Sequence, residues 1–171
     1  VCRRLDSAGV DSARSSIGRC ANRLPAPIGD RRRNPDQERT MKGGCHCGAI
    51  RYELLKEPID ADFCHCSDCR RATGAPVSAW MDFASGDISW LSGQPAEYAS
   101  SEKIRRGFCS GCGASISYRH VDYAQFFTLG VATLDDPELV APKYHIYTGQ
   151  QVAWLTLADT LPKHPGARGG D

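Results

Sequence analysis

Apolar and polar residues alternate with a period of two over much of the chain beyond residue 41. Ile50, Tyr52 and Leu54 alternate with Arg51 and Glu53, the pattern of a strand with one buried face. Val77, Ala79, Met81 and Phe83 alternate with Ser78, Trp80 and Asp82 in the same way. Further short strands are expected around residues 88–91, 114–118, 125–131 and 145–147. Turn sequences separate them: Ser85-Gly86-Asp87, Ser92-Gly93-Gln94-Pro95 and Asp135-Asp136-Pro137. One helical piece is expected, and it is short. Ser67 can cap it, Asp68 suits its positive N-terminus and Gly74 can end it. The fold class is therefore mainly β, in small antiparallel sheets with one short helix.

The first forty residues break this pattern. They hold no aromatic residue and no periodic apolar run, and they include Arg31-Arg32-Arg33. A segment of this kind cannot bury enough apolar surface to offset its chain entropy. Residues 1–40 are expected to be a disordered N-terminal extension, with Met41, the first methionine, as the natural start. A basic tail that touches anionic partners is the rival reading. The folded domain is expected over 41–165 and a loose tail over 166–171.

Charge and hydropathy narrow the partners. With 171 residues and 41% hydrophobic content, one domain with its own core is expected. Residues 1–40 carry a charge of +4 and the remainder −3. A mildly acidic domain argues against nucleic acid as its partner. No apolar run approaches the ~18 residues of a membrane span, and no N-terminal stretch has the apolar core of a signal peptide.

Seven of the nine cysteines fall in three tight groups: Cys45-His46-Cys47, Cys64-His65-Cys66-Ser67-Asp68-Cys69 and Cys109-Ser110-Gly111-Cys112. Cys2 and Cys20 lie apart from them at no ligand spacing. Disulfide frameworks belong to short secreted chains, Cys-x-Cys pairs are too close to bridge each other easily, and seven is odd. A cytoplasmic metal protein fits the spacing better. A closed structural zinc site takes four protein ligands and a catalytic one three, so seven is the count for one of each.

Geometry suggests the division. On a strand, residues i and i+2 share a side, so Cys45 and Cys47 can act together while His46 points away. Cys109-x-x-Cys112-Gly113 has the form of a zinc knuckle, its glycines permitting a tight turn. Two such two-ligand clips complete a closed site. Cys64, Cys66 and Cys69 supply three ligands within six residues and leave one face of the ion open. A fully structural second site, with His65 as fourth ligand, stays open as an alternative.

The segments GGCHCGAIRYE (43–53), FCHCSDCRRATGAP (63–76) and FCSGCGASISY (108–118) resemble the glutathione-dependent formaldehyde-activating family, also called the GFA or CENP-V-type family. Gly130–Pro137, Pro142 to Ile146, and Trp154 before Leu161-Pro162 fit it too. The resemblance covers about residues 41–165. It implies a β-tent of small sheets around two Zn²⁺. Cys45, Cys47, Cys109 and Cys112 would hold the structural zinc, and Cys64, Cys66 and Cys69 the catalytic one. The implied reaction is addition of glutathione to formaldehyde, giving S-(hydroxymethyl)glutathione, classed as a carbon–sulfur lyase in reverse.

Three thiolates leave a zinc site with a net charge of −1. That favours activation of a thiol sulfur over polarisation of the aldehyde. Arg70 and Arg71, beside Cys69, are candidate clamps for the carboxylates of glutathione or another small thiol; solvated helix-surface arginines are the alternative. His145 is a candidate base, though a lone strand histidine is more often structural. Asp135 and Asp136 stand in an ordinary turn sequence. Trp80, Trp90 and Trp154 read as core or pocket wall. Besides the lyase, two other classes fit: a zinc-stabilised binding module without turnover, and a thiol redox or metal-buffering protein.

Overall fold

The computed structural model describes residues 41–169. The readings made on residues 1–40, with Cys2 and Cys20, lie outside the described residues. The chain from Met41 forms ten strands and one helix of seven residues, in keeping with a mainly β class.

Strands β1 (Met41–Gly44), β2 (Arg51–Leu54) and β5 (Ile88–Ser92) form a three-stranded sheet in the order β1-β2-β5. The other seven are β3 (Asp60–Cys64), β4 (Ser78–Ala84), β6 (Ala96–Ala99), β7 (Ile104–Phe108), β8 (Ser115–His120), β9 (Phe126–Gly130) and β10 (His145–Ile146). They form a second sheet, ordered β10-β3-β4-β9-β8-β7-β6. All neighbours are antiparallel except β10, which runs parallel to β3. The parallel pair was not expected, and the long segment 131–144 between β9 and β10 makes room for it.

One apolar cluster draws on both sheets: Tyr52 and Leu54 from the small one, with Met81, Phe83 and Leu129 from the large one. The period-two reading of β2 and β4 is thus met by burial. Trp80 departs from it, being only 3% exposed on the face opposite Met81. That opposite face carries the chemistry. Cross-strand partners point the same way, and the registers Cys64↔Ser78, Asp62↔Trp80, Asp82↔Thr128, Thr128↔Tyr118 and Tyr118↔Arg106 place these side chains on one face.

Two details differ from expectation. Residues 166–168, expected within a loose tail, are held beside β10. Gly166 O accepts from Tyr147 N at 2.8 Å, and the Arg168 guanidinium pairs with Asp60 and stands 4.8 Å over the Tyr144 ring. Trp154, read as core or pocket wall, is 73% exposed.

Gly43 packs closely against Tyr52 on the next strand and the 3-10 turn Val131–Thr133 that follows β9. A Cβ built there would stand 2.5 Å from Thr133 O and 2.4 Å from the Tyr52 hydroxyl, which itself bonds Thr133 Oγ1 at 2.6 Å. Overfilling a packed site typically costs about 1–3 kcal/mol. Gly43→Ala is expected to lower the unfolding free energy by that amount and so shift the urea midpoint down, and an unchanged midpoint would show the contact to be slack.

Candidate metal centres

The seven grouped cysteines separate into a four and a three. The sulfurs of Cys45, Cys47, Cys109 and Cys112 lie within 4.8 Å of one another, and so do those of Cys64, Cys66 and Cys69. None of the seven is in a disulfide.

The four-sulfur group is built from two turns. Cys45 and Cys47 follow β1 in a tight turn, closed by Gly48 N to Cys45 O at 3.1 Å with Gly48 at φ 78°. This corrects the strand geometry expected for Cys45-x-Cys47: a turn, not a pleat, brings the two sulfurs to 3.5 Å. The second turn has the expected knuckle form, with Gly113 N donating to Cys109 O at 2.8 Å and Gly113 at φ 74°. Cys47 and Cys109, 62 residues apart, stand 3.8 Å from each other. A tetrahedral ion with ~2.3 Å zinc–sulfur bonds has sulfur–sulfur edges of about 3.8 Å, so the set fits zinc. Burial opposes ionisation of Cys45. The Ile50 N–H at 3.2 Å and the other three cysteines outweigh it and bring the thiol down to about 6. A thiolate is the form a metal needs.

The three-sulfur group surrounds the start of helix α1 (Ser67–Thr73). Cys66, not Ser67, is the N-cap: its sulfur accepts from Cys69 N at 3.3 Å. Gly74 ends the helix in the left-handed region, as expected, at φ 71°. Hydrogen bonds from Cys64 and Cys69 hold the Cys66 thiol well below the ordinary range, and sharing with Cys66 pushes Cys64 up. Three sulfurs, one already favouring the thiolate, suit a cation with one open position.

Beside this group lies a cavity of about 260 Å³. Ile104, Ile146, Tyr118 and Tyr147 supply its apolar wall. Tyr147 has φ 53°, alone among the described non-glycine residues, a conformation costing roughly 1–2 kcal/mol. A larger cavity of about 500 Å³ touches Cys45 and Asp135. The sulfurs of Cys64, Cys66 and Cys69 do not line it, and its Arg51 is already paired with Asp135.

The other candidates fall out as follows. Arg70 donates to Gln150 O at 3.2 Å, Arg71 is exposed, and neither lines the cavity by the three cysteines. The guanidinium that does is Arg106, whose Nη1 stands 3.9 Å from Cys69 Sγ. Asp135 pairs with Arg51, and Asp136 caps a short 3-10 turn through Glu138 N at 3.3 Å. His145 is fully buried. Its Nε2 lies 3.1 Å from the Asp159 carboxylate and its Nδ1 2.9 Å from His65 Nε2. An Asp159–His145–His65 chain therefore ties β10 and the end segment to the cysteine loop. His65 is not among the grouped ligands, which corrects the four-ligand alternative. Trp80 Nε1 and His65 Nδ1 are buried without a partner.

Behind the cysteines, Asp62 is 7% exposed and its Oδ2 has no hydrogen-bond partner. Burial first, then the Asp82 and Asp60 carboxylates, push it up to about 7. The folded state thus binds the Asp62 proton more tightly than the unfolded chain. Stability from this group is full below about pH 4 and is lost as pH rises toward 7. Asp62→Asn is expected to remove this loss, raising unfolding free energy at pH 8 by roughly 1–4 kcal/mol with little effect at pH 4. Equal effects at both pH values in chemical denaturation would contradict it.

Among the described residues no helix is long and apolar enough to cross a membrane. The model of the glutathione-dependent formaldehyde-activating enzyme family matches residues 40–150. A Halomonas elongata protein named "Putative glutathione-dependent formaldehyde-activating enzyme" is 30% identical over 86 residues, 44% of this chain and 54% of that protein. The chain thus spans about half the length of the curated relative it matches. A crystal structure of a Rhodobacter sphaeroides protein aligns with a TM-score of 0.48 at 29% identity, covering 60% of this chain and 97% of that one.

Proposed function

The chain belongs to the glutathione-dependent formaldehyde-activating enzyme family, and on that premise we propose that it is a zinc-dependent carbon–sulfur lyase. It joins a small thiol such as glutathione to an aldehyde such as formaldehyde, and splits the adduct in reverse. The observation that carries the reading is the division of seven sulfurs into a closed four and a three that opens on a cavity. In this reading Cys45, Cys47, Cys109 and Cys112 hold a structural Zn²⁺, and Cys64, Cys66 and Cys69 hold a second. When bound, the second zinc would keep the substrate sulfur as a thiolate at neutral pH.

The chain's own residues do the rest. The first turn of α1 aims Cys69 N–H at the Cys66 sulfur and favours its negative form. Tyr118, Tyr147 and Ile146 cover the sulfurs and thin the water around them. The substrate thiolate then forms a bond to the aldehyde carbon, the C=O electron pair moves to oxygen, and oxygen takes a proton from water. The Asp159–His145–His65 chain lies behind the cysteine loop and holds it in place rather than acting on substrate.

The test is direct. Protein with cobalt at the second site is titrated with glutathione, and adduct formation from glutathione and formaldehyde is followed by NMR. A changed visible spectrum together with faster adduct formation supports the lyase. A changed spectrum without acceleration makes the protein a thiol-binding module. An unchanged spectrum in metal-filled protein removes the proposed chemistry.

A further inference from the structure

Arg106 stands out among the described arginines because it lines the three-cysteine cavity and pairs with no carboxylate. Arg51, Arg119 and Arg168 each pair with a carboxylate. Arg70 and Arg105 donate to backbone carbonyls, and Arg71 is exposed and lies off the cavity wall. Arg106 is half-buried on the wall of the three-cysteine cavity, and its one side-chain hydrogen bond is the 3.9 Å contact from Nη1 to Cys69 Sγ. No carboxylate among the described residues lies within ion-pair distance of it. A guanidinium has five N–H donors in a rigid fork, so most of its donors remain free.

Its placement is set by the sheet. Arg106 faces Tyr118 across β7 and β8, and Tyr118 packs edge-on to Trp80 at 5.2 Å. Trp80 in turn packs with Cys64 and Cys69. The register thus sets Arg106 on the face that carries these rings and the sulfurs, with its Nη1 3.9 Å from Cys69 Sγ. The cavity of about 260 Å³ falls just under the ~300–1,000 Å³ of sites that enclose a whole drug-sized ligand. It suits the thiol end of a ligand and one charged group near it.

We infer that Arg106 is the specificity-determining residue of this site and selects thiols that carry a carboxylate near the sulfur. The inference rests on the thiol-binding reading of the three-cysteine group and adds the substrate class to it. The carboxylate takes the free edge of the guanidinium in a two-pronged, charge-assisted pair, while the thiol sulfur lies beside Cys69. A neutral thiol of the same size fills the same space and leaves those donors without a partner.

The experiment compares 3-mercaptopropionate with 3-mercapto-1-propanol by calorimetric titration of zinc-loaded protein. The wild-type protein is expected to bind the acid about ten- to hundredfold more tightly, the range of a charge-assisted hydrogen bond. Arg106→Ala should bring the ratio close to one, and Arg106→Lys, which keeps the charge but not the fork, should retain part of it. Zinc content and melting temperature of each variant confirm that the comparison is made on folded, loaded protein. If Arg106→Ala weakens both thiols alike, Arg106 acts on the sulfur charge and the inference is overturned. If the wild type binds both thiols equally, the inference alone fails. If it binds neither, the thiol-binding reading fails and takes the inference with it.

Discussion

Cys66→Ser is expected to abolish thiol-dependent adduct formation while leaving the domain folded. Two roles meet at this residue, and serine separates them. As the N-cap of α1, the Cys66 sulfur accepts from Cys69 N. A serine hydroxyl fills that position well, so the helix and the strands around it are retained. As one of three grouped sulfurs, Cys66 has no such substitute, because a serine hydroxyl does not supply a thiolate. Removal of only an outer-shell partner of a metal typically costs about 10–100-fold in affinity or activity. Loss of one sulfur from three is expected to exceed 100-fold. The check is adduct formation by NMR alongside circular dichroism. Retained activity would place the chemistry elsewhere, and lost secondary structure would make the cluster structural.

Cys112→Ser is expected to do the opposite and unfold the protein. Cys112 is exposed, so its packing contribution is small and an ordinary surface change there would cost within about 0.5 kcal/mol. Its sulfur, however, completes a group that joins the turn after β1 to the turn between β7 and β8. Structural zinc contributes folding free energy outright, about 10–16 kcal/mol in zinc-finger peptides, against a total of about 5–15 kcal/mol for a typical domain. Even partial loss should amount to several kcal/mol, or roughly 10 °C or more in melting temperature. A thermal scan gives the answer. A melting temperature within ~2 °C of wild type would show that the four sulfurs hold nothing the fold needs.

Much of this was legible in the sequence because the signals are local. Period-two alternation marks β2 and β4, whose apolar faces both enter the core. The group spacings bring each pair or triplet of sulfurs together within stretches of at most six residues. Gly74 ends α1 where a left-handed residue was needed. Other features depend on contacts distant along the chain. β3 (Asp60–Cys64) mixes acidic and apolar residues because both of its faces are covered, so no alternation shows. The parallel pairing of β10 joins residues far apart along the chain, the join of His145 to His65 and Asp159 spans 80 and 14 residues, and nothing near His145 announces either partner. Arg70 and Arg71 drew attention by adjacency to Cys69, yet the helix carries Arg70 toward Gln150. The guanidinium in the cavity comes from β7 instead. The alternation Ile104, Arg106, Phe108 before Cys109 was the available signal, since it sets Arg106 on the same side as two apolar neighbours.

Stepwise chelation, with zinc counted by elemental analysis and folding followed by circular dichroism, tests the two-site account most directly. The account predicts two zincs per chain. One is lost to a mild chelator together with glutathione-dependent activity while the strands stay folded, and the other leaves only as the domain unfolds. A single tightly held zinc, with Cys64, Cys66 and Cys69 open to alkylation in the fully active protein, would contradict it.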